Sequence, residues 1–362
     1  MLEFEFSALA ALGLTPVLAS RAVELDLECR DAAELRHLMR IVEEHRDGVV
    51  LHDGRPARVA LPLQRSLADR GHALAVGDWV LMKADVHGDA WVVQRVPPTS
   101  VIARRDAAGR RHPVVSNVDV ALLVMGLDDD FNARRIERFL ALVADGGIVT
   151  AIVLTKADVM PPAVVAEREA TLRARLPAGT TVIVVNALAA HAGQVLQPLL
   201  ASGSTVVMLG SSGAGKSTLT NTLLGAAIQD TGEVRTHDSR GKHTTTSRSL
   251  HRLPGGACVI DTPGLRTLRP DGGETALAGA FPDIDALAAR CRFRDCAHGA
   301  EPGCAVREGV DADRLRNFHK LGRELRRDSL SLLERQRQLA TWKARGRATR
   351  ERMRQKRGAA GD

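Results

Sequence analysis

Residues 205–217 read TVVMLGSSGAGKS, a run of small apolar residues that stops at Gly210 and ends in Lys216 and Ser217. The pattern G-x-x-x-x-G-K-[ST], set between a strand-like stretch and the helix-like TLTNTLLG, admits few folds. Glycines let the backbone N–H groups of Gly210, Ser211, Ser212, Gly213, Ala214 and Gly215 turn inward around phosphate oxygens. A helix that begins at this point, with Thr218 in its first turn, aims its positive end at the same anion. Lys216 is expected to reach the β- and γ-phosphates, and Ser217 to hold Mg²⁺.

The surrounding chain supplies the sheet that such a loop needs. From residue 117, VDVALLVMG, IVTAIVL, TVIVV and TVVML read as buried strands with helical stretches between them. In NARRIERFLALVADGG, Ile136, Phe139, Leu140 and Val143 recur at helical spacing before a pair of glycines. Strands alternating with helices imply a parallel sheet covered on both faces. SRSLHRL and ACVID look like an antiparallel pair turned by PGG.

Two further pieces bear on the nucleotide. Thr155-Lys156-Ala157-Asp158 follows the strand IVTAIVL. A carboxylate there can accept from N1–H and the 2-amino group of guanine, whereas adenine would leave it unpaired, a costly mismatch. Asn186-Ala187, after TVIVV, can offer a backbone N–H to the guanine carbonyl oxygen. Downstream, ACVI-Asp261-Thr262-Pro263-Gly264 places an acid at a strand tip. Asp261 is expected in the Mg²⁺ shell and the Gly264 N–H at the γ-phosphate. In GKHTTT, residues 241–246, Thr244 and Thr245 are equally placed by spacing to cover the metal as a switch loop, and Thr245 is the one assigned to Mg²⁺. The base-reading piece thus precedes the phosphate-reading pieces, the reverse of ordinary small GTPases, which explains why the phosphate loop comes so late. Circular permutation is the expectation, and it is tolerated where termini lie close together.

Residues 36–105 differ in kind. RIVEEH, DGVVLHDG, ARVALP, GDWVLMKA and AWVVQRV are short strand-like pieces separated by turn signals, without a long helix. About five such strands fit an OB-type barrel, with an SH3-like barrel as the competing reading. At the other end, Cys291-x4-Cys296-x-His298-x5-Cys304 sets three thiols and an imidazole close together. This suits a closed, structural, tetrahedral zinc site better than an iron–sulfur cluster. Cys29 and Cys258 stand alone and read as buried small hydrophobes. Leu315, Phe318, Leu321 and Leu325 form an apolar helical stripe.

Charge narrows the partners. The 362 residues carry 50 Lys+Arg against 43 Asp+Glu, and residues 341–357 hold eight basic side chains with Glu351 as the one acid. A basic block at a chain end is a phosphate grip for nucleic acid, or else a solvated terminal helix. Aromatic residues are only 3%, with no tyrosine, so contacts to RNA backbone and shape are expected before base stacking. The absence of an apolar run of membrane-spanning length or an export signal points to the cytoplasm and no membrane partner.

Together, GSSGAGKS after TKAD, the GKHTTT loop, DTPG and CRFRDCAH…EPGC resemble the circularly permuted GTPases that act on the small ribosomal subunit, the RsgA family. The likeness covers roughly residues 35–330. The resemblance implies an OB-type RNA-binding β-barrel (35–112), a circularly permuted P-loop GTPase domain (113–272) and a helical zinc-binding domain (273–340), within a multidomain α/β protein whose remaining expected parts are an N-terminal extension (1–34) and a basic tail (341–362). It further implies a monomer that binds GTP and GDP and the small subunit through its rRNA. Late maturation of that subunit, with GTP hydrolysis stimulated by it, would be the function. The alternative is a GTP-switched assembly checkpoint in which hydrolysis is incidental. Thr155 stands where the family carries Asn, and Asn186 where it carries Ser. Thr155 keeps a hydroxyl but lacks the amide that braces the base pocket. Leu265 occupies the place of the water-orienting glutamine of Ras-like enzymes, so by resemblance and by chemistry His243 becomes the expected catalytic group.

Overall fold

The computed structural model describes residues 2–28, 34–45, 47–56, 58–62, 73–105, 110–189, 191–226, 248–263 and 273–329. His243, Thr244, Thr245, Gly264, Leu265, Cys29 and the basic tail lie outside the described residues.

The apolar runs read above become the centre of a sheet. Strands β9 (Val120–Gly126), β10 (Val149–Thr155), β11 (Thr181–Val184), β12 (Thr205–Gly210) and β14 (Cys258–Asp261) pair in parallel in the order β11-β10-β9-β12-β14. β9 and β12 are buried along their whole length, as continuous Val, Leu and Met runs require of strands covered on both faces. Helices α3 (Ala133–Val143), α4 (Pro162–Arg173), α5 (Ala192–Leu196) and α6 (Lys216–Leu224) connect them. β13 (Arg248–Arg252) joins β14 antiparallel, as the PGG turn implied. Because all the parallel strands point the same way, the segments after Gly126, Thr155, Gly210 and Asp261 emerge along one edge of the sheet. That edge is where ligands bind in such sheets.

The five barrel-like strands are present as β2 (Arg36–Glu44), β3 (Gly48–His52), β4 (Arg58–Pro62), β5 (Trp79–Ala84) and β6 (Ala90–Arg95). They pair in the order β4-β3-β2-β5-β6. Closure would need β4 against β6, and among the described residues no such pairing occurs, so the sheet is open rather than a closed barrel. β2 also pairs antiparallel with β13 through Glu43 and Glu44, so the barrel-like strands and the nucleotide-site strands form one continuous sheet. A separate hairpin, β7 (Val101–Arg105) with β8 (Arg111–Ser116), follows β6.

The N-terminal segment is part of this core. β1 (Leu2–Glu3) pairs with β2, and helices α1 (Phe6–Ala10) and α2 (Pro16–Glu28) set Leu9, Leu12, Leu14 and Leu18 against Leu38, Trp79 and Leu81. Arg40 is fully buried at the joint. It donates to the carbonyls of Leu12, Gly77 (3.3 Å) and Asn117 (3.2 Å), with its guanidinium 5.3 Å from the Trp79 ring centre. A buried arginine is tolerable only because these acceptors and the aromatic face replace its water.

Of the C-terminal helices α7 (Glu274–Ala280), α8 (Pro282–Ala288), α9 (Ala305–Gly309) and α10 (Ala312–Ser329), α7 and α10 pack on α3, and α8 packs on α7 and α9. The apolar stripe of α10 is buried at Leu315, Leu321 and Leu325. The contact is fixed by charge as well. Glu137 of α3 is 0% exposed and accepts from Arg314 (2.7 Å), Arg175 (2.8 Å) and Asn317. Arg134 pairs with Asp313 and Arg138 with Glu324 on either side. Among the described residues no helix is long and apolar enough to cross a membrane.

Candidate functional site

Gly210 ends β12, and there is no room for a larger residue: a Cβ would run into the carbonyl oxygen of Val124 on the neighbouring strand. Gly215 has φ +90°, and its Cβ would lie 3.2 Å from the Thr155 hydroxyl, so glycine is required both for the turn and for the close approach. α6 then starts at Lys216, with its first amides facing the loop. Ser211, Ser212, Gly213 and Ala214 form the turn between, and Thr218 lies in the first turn of α6.

Lys216 is buried. Its ammonium donates to the carbonyls of Gly210 (3.0 Å) and Ser211 (2.7 Å). Burial pulls its pKa down to about 8, opposed by the carboxylates of Asp261 and Asp130. Ser217 donates to Asp261 Oδ2 at 3.1 Å. Asp261, at the tip of β14, is fully buried, and burial pushes its carboxyl pKa up against the pull of Lys216 and Ser217. Its Oδ1 is buried without a hydrogen-bond partner among the described residues. A hydroxyl beside a carboxylate with one unused buried oxygen is the donor set that a hard divalent cation takes, so Ser217 and Asp261 fit Mg²⁺.

The segment expected to read the base sits at the end of the adjoining strand. Thr155 pairs in register with Gly126, and its buried hydroxyl donates to the carbonyl of Ala214 in the phosphate loop at 2.6 Å. The hydroxyl thus ties the two loops together where an amide was expected to be missed. Lys156, at φ +61°, turns the chain and pairs with Asp128 at 2.7 Å. Ala157 and Asp158 follow in a single 3-10 turn, with Asp158 exposed. From the next strand, Asn186 accepts from the Leu188 N–H at 2.9 Å, and the Ala187 carbonyl accepts from Thr222 of α6 at 2.6 Å. Thr155–Asp158, Asn186–Ala187, the phosphate loop and Asp261 are therefore brought to one edge from four strands.

Sequence reasoning missed the acids after β9. Asp128 pairs with Lys156, and Asp130 accepts from Ser211 at 2.6 Å. The signal was available: GLDDDFN follows the end of a buried parallel strand on the same edge as the phosphate loop.

The cysteine cluster also assembles. The donor atoms of Cys291, Cys296, His298 and Cys304 all lie within 4.8 Å of one another. Cys291 Sγ and Cys304 Sγ are 3.9 Å apart, and His298 Nδ1 is 3.7 and 3.6 Å from them. A tetrahedron with Zn–S bonds of about 2.3 Å has sulfur–sulfur edges of about 3.8 Å, so the set fits zinc. The Val306 and Ala305 amides, Val306 first, favour the Cys291 thiolate and lower its pKa. His298 adopts φ +58°, and its carbonyl lies 3.2 Å from His319 Nε2. Cys258 is buried, as expected.

Comparison with known proteins agrees with this geometry. The RsgA GTPase family model matches residues 95–270. A curated relative from Xanthomonas axonopodis pv. citri (strain 306), named small ribosomal subunit biogenesis GTPase RsgA, is 46% identical over 297 residues, covering 79% of this chain and 80% of the relative. This chain belongs to the RsgA GTPase family. It is accordingly an enzyme, a GTPase. A relative of the same name from Xylella fastidiosa (strain M23) is 45% identical over 310 residues, covering 82% and 89% of the two chains. In fold the chain is similar to the crystal structure of YjeQ from Thermotoga maritima, with TM-score 0.56, 24% identity and coverage of 80% and 99%. It is also similar to YloQ, a circularly permuted GTPase, with TM-score 0.54, 21% identity and coverage of 81% and 96%. The permutation read from motif order is thus the fold of this RsgA chain.

Proposed function

We propose that this chain hydrolyses GTP to GDP and phosphate on the small ribosomal subunit, assisting its late maturation. The observation that carries the nucleotide half is the meeting of TKAD and the phosphate loop, joined by the Thr155–Ala214 hydrogen bond. The ribosomal half is supported by the printed names of the curated relatives.

In this reading Asp158 accepts from guanine, with Lys156 beside the base and the Ala187 N–H directed at the guanine carbonyl. Lys216 and the amides from Ser211 to Thr218 hold the phosphates. Ser217, Asp261 and Thr245 hold Mg²⁺, which, when bound, neutralises charge on the β- and γ-phosphate oxygens. Gly264 offers its N–H to the γ-phosphate. His243 orients or deprotonates the attacking water, taking the place left by Leu265. Cys291, Cys296, His298 and Cys304 hold one structural zinc. We adopt the division 35–112, 113–272 and 273–340, with β2 to β6 as an OB-type RNA-binding module one pairing short of closure. A cytoplasmic monomer that contacts rRNA through this module and the basic tail completes the reading.

The test is GTP turnover with purified small subunits, large subunits or neither. Small subunits alone should raise turnover, and His243→Ala should remove most of that rise, about 10²-fold or more, with nucleotide affinity nearly unchanged. Equal turnover under all three conditions would refute the ribosomal reading.

A further inference from the structure

The loop from Gly126 to Asn132 and the first turn of α3 press on the outer flank of the phosphate loop. The Ser211 hydroxyl lies 2.6 and 2.7 Å from the two Asp130 carboxylate oxygens and 2.8 Å from Arg135 Nη1. Arg135 also pairs with the Asp130 carboxylate and donates to the Asp130 carbonyl at 3.2 Å. Serine, aspartate and arginine thus close a ring in which the hydroxyl donates to the acid and accepts from the guanidinium. The ring is anchored from behind. Asp130 accepts from the Gly126 N–H at 3.2 Å at the end of β9, and Asn132 caps α3 by accepting from the Arg135 N–H at 3.2 Å. α3 itself is held to α10 through Arg134, Glu137 and Arg138.

We propose that Asp130 and Arg135 are positioning residues for the phosphate loop, a clamp that fixes Ser211 and with it the first turn of the loop. The inference rests on the nucleotide site proposed above. Three observations carry it. The clamped residue is also the one whose carbonyl accepts from Lys216 at 2.7 Å, so its place sets where the lysine sits. On this flank Ser211 and Ser212 border a cleft of about 500 Å³ between α3 and α10, so close packing does not hold them there and the clamp is not redundant. Finally, a carboxylate beside a polyphosphate site repels the ligand unless it is neutralised, and Arg135 neutralises Asp130. Arg135 therefore does two things: it shapes the loop, and it shields the phosphates from Asp130.

Shielding makes the prediction specific. Arg135→Met keeps the stem, loses the fork and leaves Asp130 uncompensated. Affinity for GDP and for GTP should fall together, about tenfold, with KM raised in step and kcat within about threefold. Arg135→Lys, still able to pair with Asp130, should recover most of that loss. The double variant Arg135→Met with Asp130→Asn should bind better than Arg135→Met alone, a coupling that a general loss of packing would not produce. Ser211→Ala, which removes only the clamped hydroxyl, carries the same test should Arg135→Met fold poorly, and it should weaken both nucleotides severalfold. The probes are fluorescent GDP and GTP titrated onto the full chain, with steady-state GTP turnover. Wild-type affinity in Arg135→Met and Ser211→Ala would overturn the clamp, as would a collapse of kcat at unchanged affinity or a double variant no better than the single. Failure of the wild type to bind GTP would instead overturn the nucleotide site.

Discussion

Lys216, proposed above to hold the nucleotide phosphates, has surroundings that make it sensitive to pH. Its amine is buried against two carbonyl oxygens, and burial brings its pKa to about 8. A polyphosphate brought against it favours the ammonium, so the bound state holds the proton more tightly than the free state. Affinity for GDP is therefore full below about pH 8 and falls as pH rises through that value, by up to tenfold per pH unit. Titrations between pH 7 and 9 at fixed Mg²⁺ should show a flat region and then a decline; a flat profile throughout would contradict the buried lysine. Asp261 offers a second test at this scale. Asp261→Asn keeps the shape but removes the charge beside Ser217, so the Mg²⁺ concentration needed for half-maximal turnover should rise about tenfold or more. An unchanged Mg²⁺ requirement would move the metal elsewhere.

At the scale of elements, the parallel strands and α3 were legible because burial on two faces demands continuous apolar runs and burial on one face demands a stripe. Val120–Gly126 and Ile136, Phe139, Leu140 and Val143 satisfy these demands without help from distant residues. What depends on distant partners was not legible. Glu137 carries no local sign of burial; Arg314 of α10 and Arg175, in the turn after α4, pair with it and bury it. The pairing of β2 with β13 joins residues far apart in the chain and carries no local pattern. Asp130 and Arg135 escaped for the same reason, since their meaning lies in Ser211. The cysteine cluster is the opposite case, since its donors lie within 14 residues and their spacing alone announces them. Cys296→Ala should lower the zinc content from one per chain to near zero and expose 273–329 to proteolysis, leaving the parallel sheet intact by circular dichroism. Full metal content in that variant would refute the site.

For the whole molecule, one continuous sheet carries the barrel-like strands on one side and the nucleotide edge on the other. β13, next to β14 and its Asp261, is hydrogen-bonded to β2 of the barrel-like module, while the phosphate loop is clamped by α3, which holds α10. Both flanking modules therefore touch elements that touch the nucleotide site, an arrangement suited to a GTPase that responds to a large surface. The permuted order leaves one requirement that everything else rests on: a base-reading loop that comes early in the chain and a phosphate loop that comes late must serve a single nucleotide. Turnover of GTP, XTP and ATP by the wild type and by Asp158→Asn, with small subunits present, tests this most directly. The wild type should hydrolyse GTP in strong preference to the other two. In Asp158→Asn the preference should pass to XTP, because an amide can donate to the 2-carbonyl of xanthine. A wild type that turns over ATP as well as GTP, or a variant that still prefers GTP, would contradict it.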